Sequence, residues 1–458
     1  MVDKLRRTAF ACQQCGHMAA RWLGQCPSCS AWGSMVEEAL PDPRARAAAK
    51  GRRVGGAEPR PLAAVPADRS LRRSTGLGEL DRVLGGGLVH GSVILVGGDP
   101  GIGKSTLTLQ ACSALAKQGL SVLYVAGEES PEQVRLRADR LGLDDAGVLI
   151  LPETNAEAVI EQLDALRPAA VVVDSIQTLH TATLASAPGS VGQVRESAAL
   201  LTAHCKAAGT ACILIGHVTK EGALAGPRVL EHLVDTVLYF EGDGAHALRV
   251  LRAVKNRFGS TNEVGVFEMA EGGLLEVQNP SAAFLAERPA GAPGSAVLAT
   301  LEGSRPVLVE IQALVARSGL AMPRRTAIGV DPGRVALLLA VLEKRRRMQL
   351  HAEDVFLNVA GGLRVDEPAA DLAIVAAVAS SVRGRAVPDD VVLWGEVGLT
   401  GEVRSAARAE ARAREAARQG FRRCILPEGN VRGLRAVDGL RVQGVPALDH
   451  LFDLLELT

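Results

Sequence analysis

Gly98-Asp99-Pro100-Gly101-Ile102-Gly103-Lys104-Ser105-Thr106 reads G-x-x-x-x-G-K-[ST], the pattern of a phosphate-binding loop. Its surroundings are those the chemistry requires. Ser92–Val96 is an apolar, β-branched run, as in a buried strand, and Leu107–Lys117 carries apolar residues at helical spacing. A strand, a glycine loop and a helix start let successive backbone N–H groups wrap a phosphate at the positive end of the helix. Gly98, Gly101 and Gly103 keep side chains out of the wrap, and with Asp99, Pro100, Ile102 and Thr106 they form the expected ATP cradle. Lys104 is expected to reach the β- and γ-phosphates, and Ser105 to ligate Mg²⁺ through its hydroxyl.

Upstream of the loop, Thr75–Val89 holds an amphipathic turn (Leu77, Leu80, Val83, Leu84) that ends in three glycines. This lead-in resembles the segment that precedes the phosphate loop in RecA-type ATPases. Downstream, predicted strands alternate with helices: Ser121–Ala126, Val148–Leu151, Ala170–Val173 and Ala211–Ile215. That alternation implies a parallel sheet with helices on both faces. Ligands of such sheets bind beyond the carboxyl ends of the strands, so Lys104, Glu128, Asp174 and His217 are expected at one edge. Asp174, after three valines, takes the Walker B position and is expected to hold Mg²⁺, the alternative being a helix cap. A RecA-like ATPase needs a carboxylate after the second core strand to polarise water. Glu128 is first out of that strand; Glu129, or a cap with Ser130 and Pro131, is the alternative.

Two long loops are expected on the same edge, His180–Arg195 and His217–Glu231. In RecA-like rings and filaments the corresponding loops bind single-stranded DNA, which makes Arg195, Lys220 and Arg228 the candidate DNA contacts. Neither loop offers an aromatic platform. His217 stands either as a γ-phosphate sensor or as a structural histidine.

The chain has 458 residues, 47% of them hydrophobic, with a formal net charge of 0 and eight cysteines. That length calls for two or three domains, and the neutral balance does not by itself point to nucleic acid. No apolar run is long enough for a membrane span, and no apolar segment follows the basic Met1–Phe10, so a cytoplasmic location and no membrane partner are expected. Cys12-Gln-Gln-Cys15 and Cys26-Pro-Ser-Cys29 offer four thiolates for a tetrahedral, structural Zn²⁺ with no open position. Trp22 and Trp32 are expected to pack the small core of this ribbon. Pro41–Ser70 reads as a basic linker with Arg44, Arg46, Lys50, Arg52 and Arg53, either a solvated tether or a contact to DNA backbone.

Leu248–Val254 reads as a strand, Lys255-Asn256-Arg257-Phe258-Gly259 as a turn and Val264–Glu268 as the returning strand. The four-cysteine ribbon, the loop GDPGIGKST and the KNRFG turn, in that order, resemble the RadA (Sms) family of bacterial recombination and repair ATPases along essentially the whole chain. Lys255 and Arg257 are expected to project from the turn. In a ring they would reach the phosphate loop of a neighbouring subunit and neutralise charge on the γ-phosphoryl group; a hairpin gripping DNA phosphates is the alternative. Ala282–Ser295, rich in Pro and Gly, reads as a second linker. The chain beyond Ser295 resembles the proteolytic domain of Lon, whose serine nucleophile is activated by a lysine. Here the family's P-S-A-G corresponds to Pro368-Ala369-Ala370-Asp371, and no lysine follows Lys344, so the shape is expected without the peptidase chemistry.

The expected fold class is α/β, a RecA-like P-loop ATPase core between an N-terminal four-cysteine zinc ribbon and a C-terminal Lon-protease-like domain. The expected boundaries are residues 1–35 for the ribbon, 36–70 for the linker, 71–280 for the ATPase, 281–295 for the second linker and 296–458 for the last domain. The resemblance implies a hexameric motor on single-stranded and branched DNA that promotes branch migration, with the RecA recombinase as partner. A Lon-type protease and a non-motor ATP switch with a zinc docking module are the alternatives.

Overall fold

A computed structural model describes residues 8–12, 17–39, 61, 72–143, 147–184, 186–216, 230–242, 248–320 and 322–457. The chain forms two compact units, Met1–Glu276 and Val277–Thr458. Among the described residues no helix is long and apolar enough to cross a membrane.

The first unit begins with a three-stranded antiparallel sheet in which β1 (Thr8–Cys12) lies between β2 (Met18–Ala19) and β3 (Met35–Ala39). Its interior is Cys12, Cys26 and Met35, with Phe10, Ala19 and Leu23 packed against them. Trp22 and Trp32 are not part of that core: they are 57% and 76% exposed. An interior of three buried residues and three partly buried neighbours is too small to cover two indoles.

After β4 (Arg72–Arg73) and β5 (Leu88–Val89) comes the sheet that carries the phosphate loop. Its strands are β6 (Val93–Gly98), β7 (Val122–Ala126), β8 (Val148–Leu151), β9 (Ala170–Asp174), β10 (Ala211–Ile215), β11 (Thr236–Glu241), β12 (Leu248–Asn256), β13 (Val264–Ala270) and β14 (Gly273–Glu276). The order is β14-β13-β12-β11-β6-β10-β9-β7-β8. From β11 to β8 every pairing is parallel, as the strand–helix alternation implies. The antiparallel β12–β14 extend the sheet beyond β11. The period of two along the strands sorts their side chains onto two cores. Ile94, Val96, Tyr124 and Val172 pack with the helices Lys104–Lys117 and Pro131–Arg140; Val93, Leu95, Val125 and Val173 pack with Ala156–Leu166 and Val191–Ala208.

The second unit contains β15 (Ser295–Glu302), β16 (Arg305–Arg317), β17 (Arg325–Ile328), β18 (Glu353–Val359), β19 (Val391–Leu393), the short pair β20 (Glu396–Val397) and β21 (Val403–Arg404), β22 (Arg423–Pro427) and β23 (Arg441–Val445). Seven of these form one mixed sheet in the order β17-β18-β16-β15-β19-β22-β23. The stretch read as a second linker departs from expectation. Pro280–Leu285 is a helix of this unit, with Ser281 and Phe284 buried. Ser281 Oγ donates to Glu415 at 2.5 Å and accepts from the Leu308 N–H at 3.0 Å. Its apolar residues decide the conformation, whereas the compositional signal came from Pro289, Gly291, Pro293 and Gly294 further on.

Candidate active site

The phosphate loop joins the end of β6 to the helix Lys104–Lys117. Helices beginning at Pro131, Ala156 and Val191 are capped by the side chains of Ser130, Asn155 and Ser190. The helix at Lys104 is preceded instead by Gly103 at φ +115°, with no side-chain cap, so its first-turn N–H groups are available to an anion. A side chain at Gly103 would be strained at that φ, and its Cβ would lie 2.8 Å from Met269 Cε. Asp99, Pro100 and Gly101 are exposed, whereas Lys104 is 3% exposed. Its ammonium donates to the carbonyls of Gly98 at 2.8 Å and Asp99 at 2.9 Å. Burial draws the Lys104 amine below the ordinary lysine range, against the upward pull of Asp174, Glu128 and Asp99.

That electrostatic set shows which groups converge. β6, β7 and β9 are parallel, with β10 between β6 and β9, so their carboxyl ends share an edge that carries Lys104, Glu128 and Asp174. Asp174 is 7% exposed, and its Oδ2 accepts from the Tyr124 hydroxyl at 2.5 Å. Burial first, and the Asp174 carboxylate second, push the Tyr124 phenol well above its ordinary range, so it remains a donor. Gly127 lets the ends of β7 and β9 approach: its N–H donates to Asp174 O at 2.8 Å, and a Cβ there would lie 2.2 Å from Thr178 Oγ1. Beyond it Glu128 is exposed and accepts from the buried hydroxyl of Ser175. Glu129 turns away into an ion pair with Arg137 of the following helix. Of the two glutamates, Glu128 is the one whose charge acts on Lys104. Ser105 is half-buried at the head of its helix, on the edge that Asp174 occupies. A hydroxyl and a carboxylate of this kind are the donors Mg²⁺ takes alongside phosphate oxygens.

Tyr124 and Ser175 escape the sequence reading. Tyr124 sits at an ordinary alternating position in an apolar strand, and Ser175 simply follows the aspartate. Each acts by orienting a carboxylate, which no spacing rule reports.

The other predicted residues are placed differently. Cys15, His217, Lys220 and Arg228 lie outside the described residues. Arg195 belongs to the helix Val191–Ala208 and is exposed on its second turn, not in a loop. The helix starts early because Ser190 caps it, and Gln193 Nε2 ties back Leu184 O and Ser186 O at 3.1 and 2.9 Å. Lys255 lies within β12 rather than in a turn, opposite Val237. Its ammonium donates to Glu231 O at 2.5 Å and Val234 O at 2.9 Å, while Arg257 meets Asp235 at 3.5 Å. These contacts sit at the amino end of the parallel strands. Thr236, opposite Asn256, pairs with Ile94, whereas the loop begins four residues on at Gly98, about 13 Å along the strand. Neither cation serves the phosphate loop of its own chain.

In the ribbon, the sulfurs of Cys12, Cys26 and Cys29 lie within 4.8 Å of one another, and Cys12 Sγ is 3.6 Å from Cys29 Sγ. Two thiolates at about 2.3 Å from a tetrahedral Zn²⁺ stand about 3.8 Å apart, so the donors fit zinc. Metal binding is expected to hold this module together. A Cys26→Ser/Cys29→Ser variant should lose its zinc by atomic absorption, while the thermal transition of the phosphate-loop sheet persists. Stoichiometric zinc in that variant would refute the site.

In the second unit, Pro368-Ala369-Ala370 forms a tight turn before the helix Asp371–Arg383, with Ala369 buried. Ion pairs occupy its surroundings. Fully buried Arg412 pairs with Glu367 through two nitrogens, and Asp371 pairs with Arg334 and accepts from the Val397 N–H at 2.9 Å. Burial pushes the Asp371 carboxyl up, opposed by the Arg334 and Val397 hydrogen bonds.

Comparison with known proteins matches three family models along the chain: a rubredoxin metal binding domain over residues 10–37, an AAA domain over 58–223 and the Lon protease (S16) C-terminal proteolytic domain over 341–451. DNA repair protein RadA of Bacillus subtilis (strain 168) is 52% identical over 441 residues, covering 96% of this chain and 96% of that protein. Its namesake in Pseudomonas aeruginosa is 52% identical over 449 residues, with 97% and 98% covered. That of Halalkalibacterium halodurans is 49% identical over 455 residues, with 99% of each chain covered. With about half its residues shared with these relatives along almost its entire length, the chain belongs to the RadA family.

Proposed function

We propose that this chain is an ATP-driven motor of DNA repair and recombination, moving on single-stranded DNA and promoting branch migration of recombination intermediates. The chain is a P-loop ATPase of a DNA-repair family. The observation that carries the reading is the convergence of a buried lysine, an exposed glutamate and a buried aspartate on one sheet edge, beside an uncapped helix start. Lys104 neutralises charge on the β- and γ-phosphates. Ser105 and Asp174 would hold Mg²⁺, which would supply counter-charge for the phosphates. Glu128, oriented by Ser175, accepts the proton of the attacking water. Tyr124 keeps Asp174 aligned. Lys255 and Arg257 act on a neighbouring subunit, since they face away from their own loop; a hexameric ring supplies that neighbour. The RecA recombinase is the expected protein partner. The Lon-like unit serves assembly and DNA contact, since its nucleophile position is Ala369 and salt bridges surround it.

The two glutamates separate the active carboxylate from a structural one. Glu128→Gln keeps a hydrogen-bonding group but removes the base, so ATP should still bind while turnover falls about 10²-fold or more. Glu129→Gln disturbs only the Arg137 pair and should stay within a few-fold of wild type. Equal losses in both variants, measured as steady-state phosphate release, would overturn the assignment of Glu128.

A further inference from the structure

A cleft of about 510 Å³ opens off the phosphate cradle, a size in the range of small-molecule sites. Three elements wall it: the first turn of the helix Lys104–Lys117 at Thr106, the end of the helix Pro131–Arg140 with Leu141, and the turn between β13 and β14. Thr106 carries the third N–H of that uncapped turn, so a phosphate held there has the cleft beside it. The walls are fixed to the loop. Met269 packs on Gly103, and Gln110 clamps Leu274, donating to its carbonyl and accepting from its N–H, each at 3.1 Å. A Cβ on Gly273 would lie 2.8 Å from Leu141 Cδ2, so the hairpin turn and Leu141 meet closely. The lining sorts by depth. Leu141 and Gly273 are buried and Met269 and Ala270 half-buried, whereas Arg140 and Glu271 are exposed. One cation and one anion together offer no net attraction to a further phosphate. An apolar floor with a guanidinium beside it suits a flat, uncharged ring, which the guanidinium can stack on. Strong discrimination between related ligands needs buried polar groups that the wrong ligand leaves unpaired, and the buried lining here is apolar.

We propose that this cleft seats the base and ribose of the bound nucleotide and accepts purine and pyrimidine bases alike, an inference that rests on reading the loop as the seat of the phosphates. Steady-state formation of nucleoside diphosphate by the full-length protein tests it. The substrates are ATP, GTP, CTP and UTP, and inorganic tripolyphosphate serves as a competitor that has no nucleoside. The four KM values should lie within about fivefold of one another, because no buried polar group reads the base edge. Ala270→Phe fills the cleft and should raise all four KM values about tenfold or more with kcat nearly unchanged, the signature of lost uniform binding. Arg140→Ala, at an exposed position where folding is not at stake, should raise them about fivefold through lost stacking. Tripolyphosphate should inhibit the wild type and both variants equally, since the loop is untouched. An unchanged KM for ATP in both variants would overturn the cleft as the nucleoside seat. A preference of the wild type for ATP beyond the fivefold range would overturn its indifference to the base. Tripolyphosphate that fails to compete with ATP in the wild type would overturn the loop reading itself.

Discussion

Lys104→Ala is expected to abolish ATP turnover, by at least about 10³-fold, with little change in melting temperature. The side chain is nearly buried, and its ammonium lies in the field of Asp174, Glu128 and Asp99. Without it those three acids face the phosphates with no fixed counter-charge, so binding and transition-state stabilisation are lost together. The fold should survive because the loop residues Asp99–Gly101 are exposed, and the strand residues that fill the two cores are untouched. Phosphate release and a thermal melt on the same preparation check both halves. Turnover at the wild-type rate would remove the nucleotide site from this loop.

Arg257→Ala and Lys255→Ala carry the second large effect, about 10³ in turnover with ATP binding retained. The geometry leaves little room for a role within one chain, since both side chains gather around Asp235 and nearby carbonyls at the far edge of the sheet. Asp235 is itself anchored, accepting from the Val93 N–H at 3.1 Å and Lys206 at 2.8 Å, so the cations stand on a rigid base. In a ring, a Lys104→Ala subunit still offers its cations, and an Arg257→Ala subunit still offers its loop. Mixing the two inactive proteins should therefore restore measurable hydrolysis at mixed interfaces. A hairpin that only grips DNA predicts normal DNA-independent hydrolysis in Arg257→Ala and no rescue on mixing.

What could be read from the residues alone divides along physical lines. The phosphate loop is legible because its glycines, lysine and serine act within nine consecutive positions, and the strands that lead to Glu128 and Asp174 are legible because both faces are buried and the runs stay apolar. Lys255 reads as a turn residue because a charged side chain follows an apolar strand, yet backbone pairing with Val237 carries β12 two residues further. The helix Pro280–Leu285 is hidden by the prolines and glycines that follow it, although Ser281 and Phe284 are bound into the second unit. The exposure of Trp22 and Trp32 runs against the rule that places tryptophan inside; only the size of the ribbon's interior reveals it. The choice between Glu128 and Glu129 needs the partners, Ser175 for one and Arg137 for the other, which come from different elements.

The most direct test of a motor is migration of a synthetic branched junction whose two arms are homologous and whose position is read by restriction cleavage. With wild-type protein, displacement of the branch should require ATP and run in one direction, and Lys104→Ala should leave the branch where spontaneous migration puts it. Robust ATP hydrolysis by the wild type, with the branch distributed identically with and without ATP, would contradict the motor and leave an ATP switch in its place.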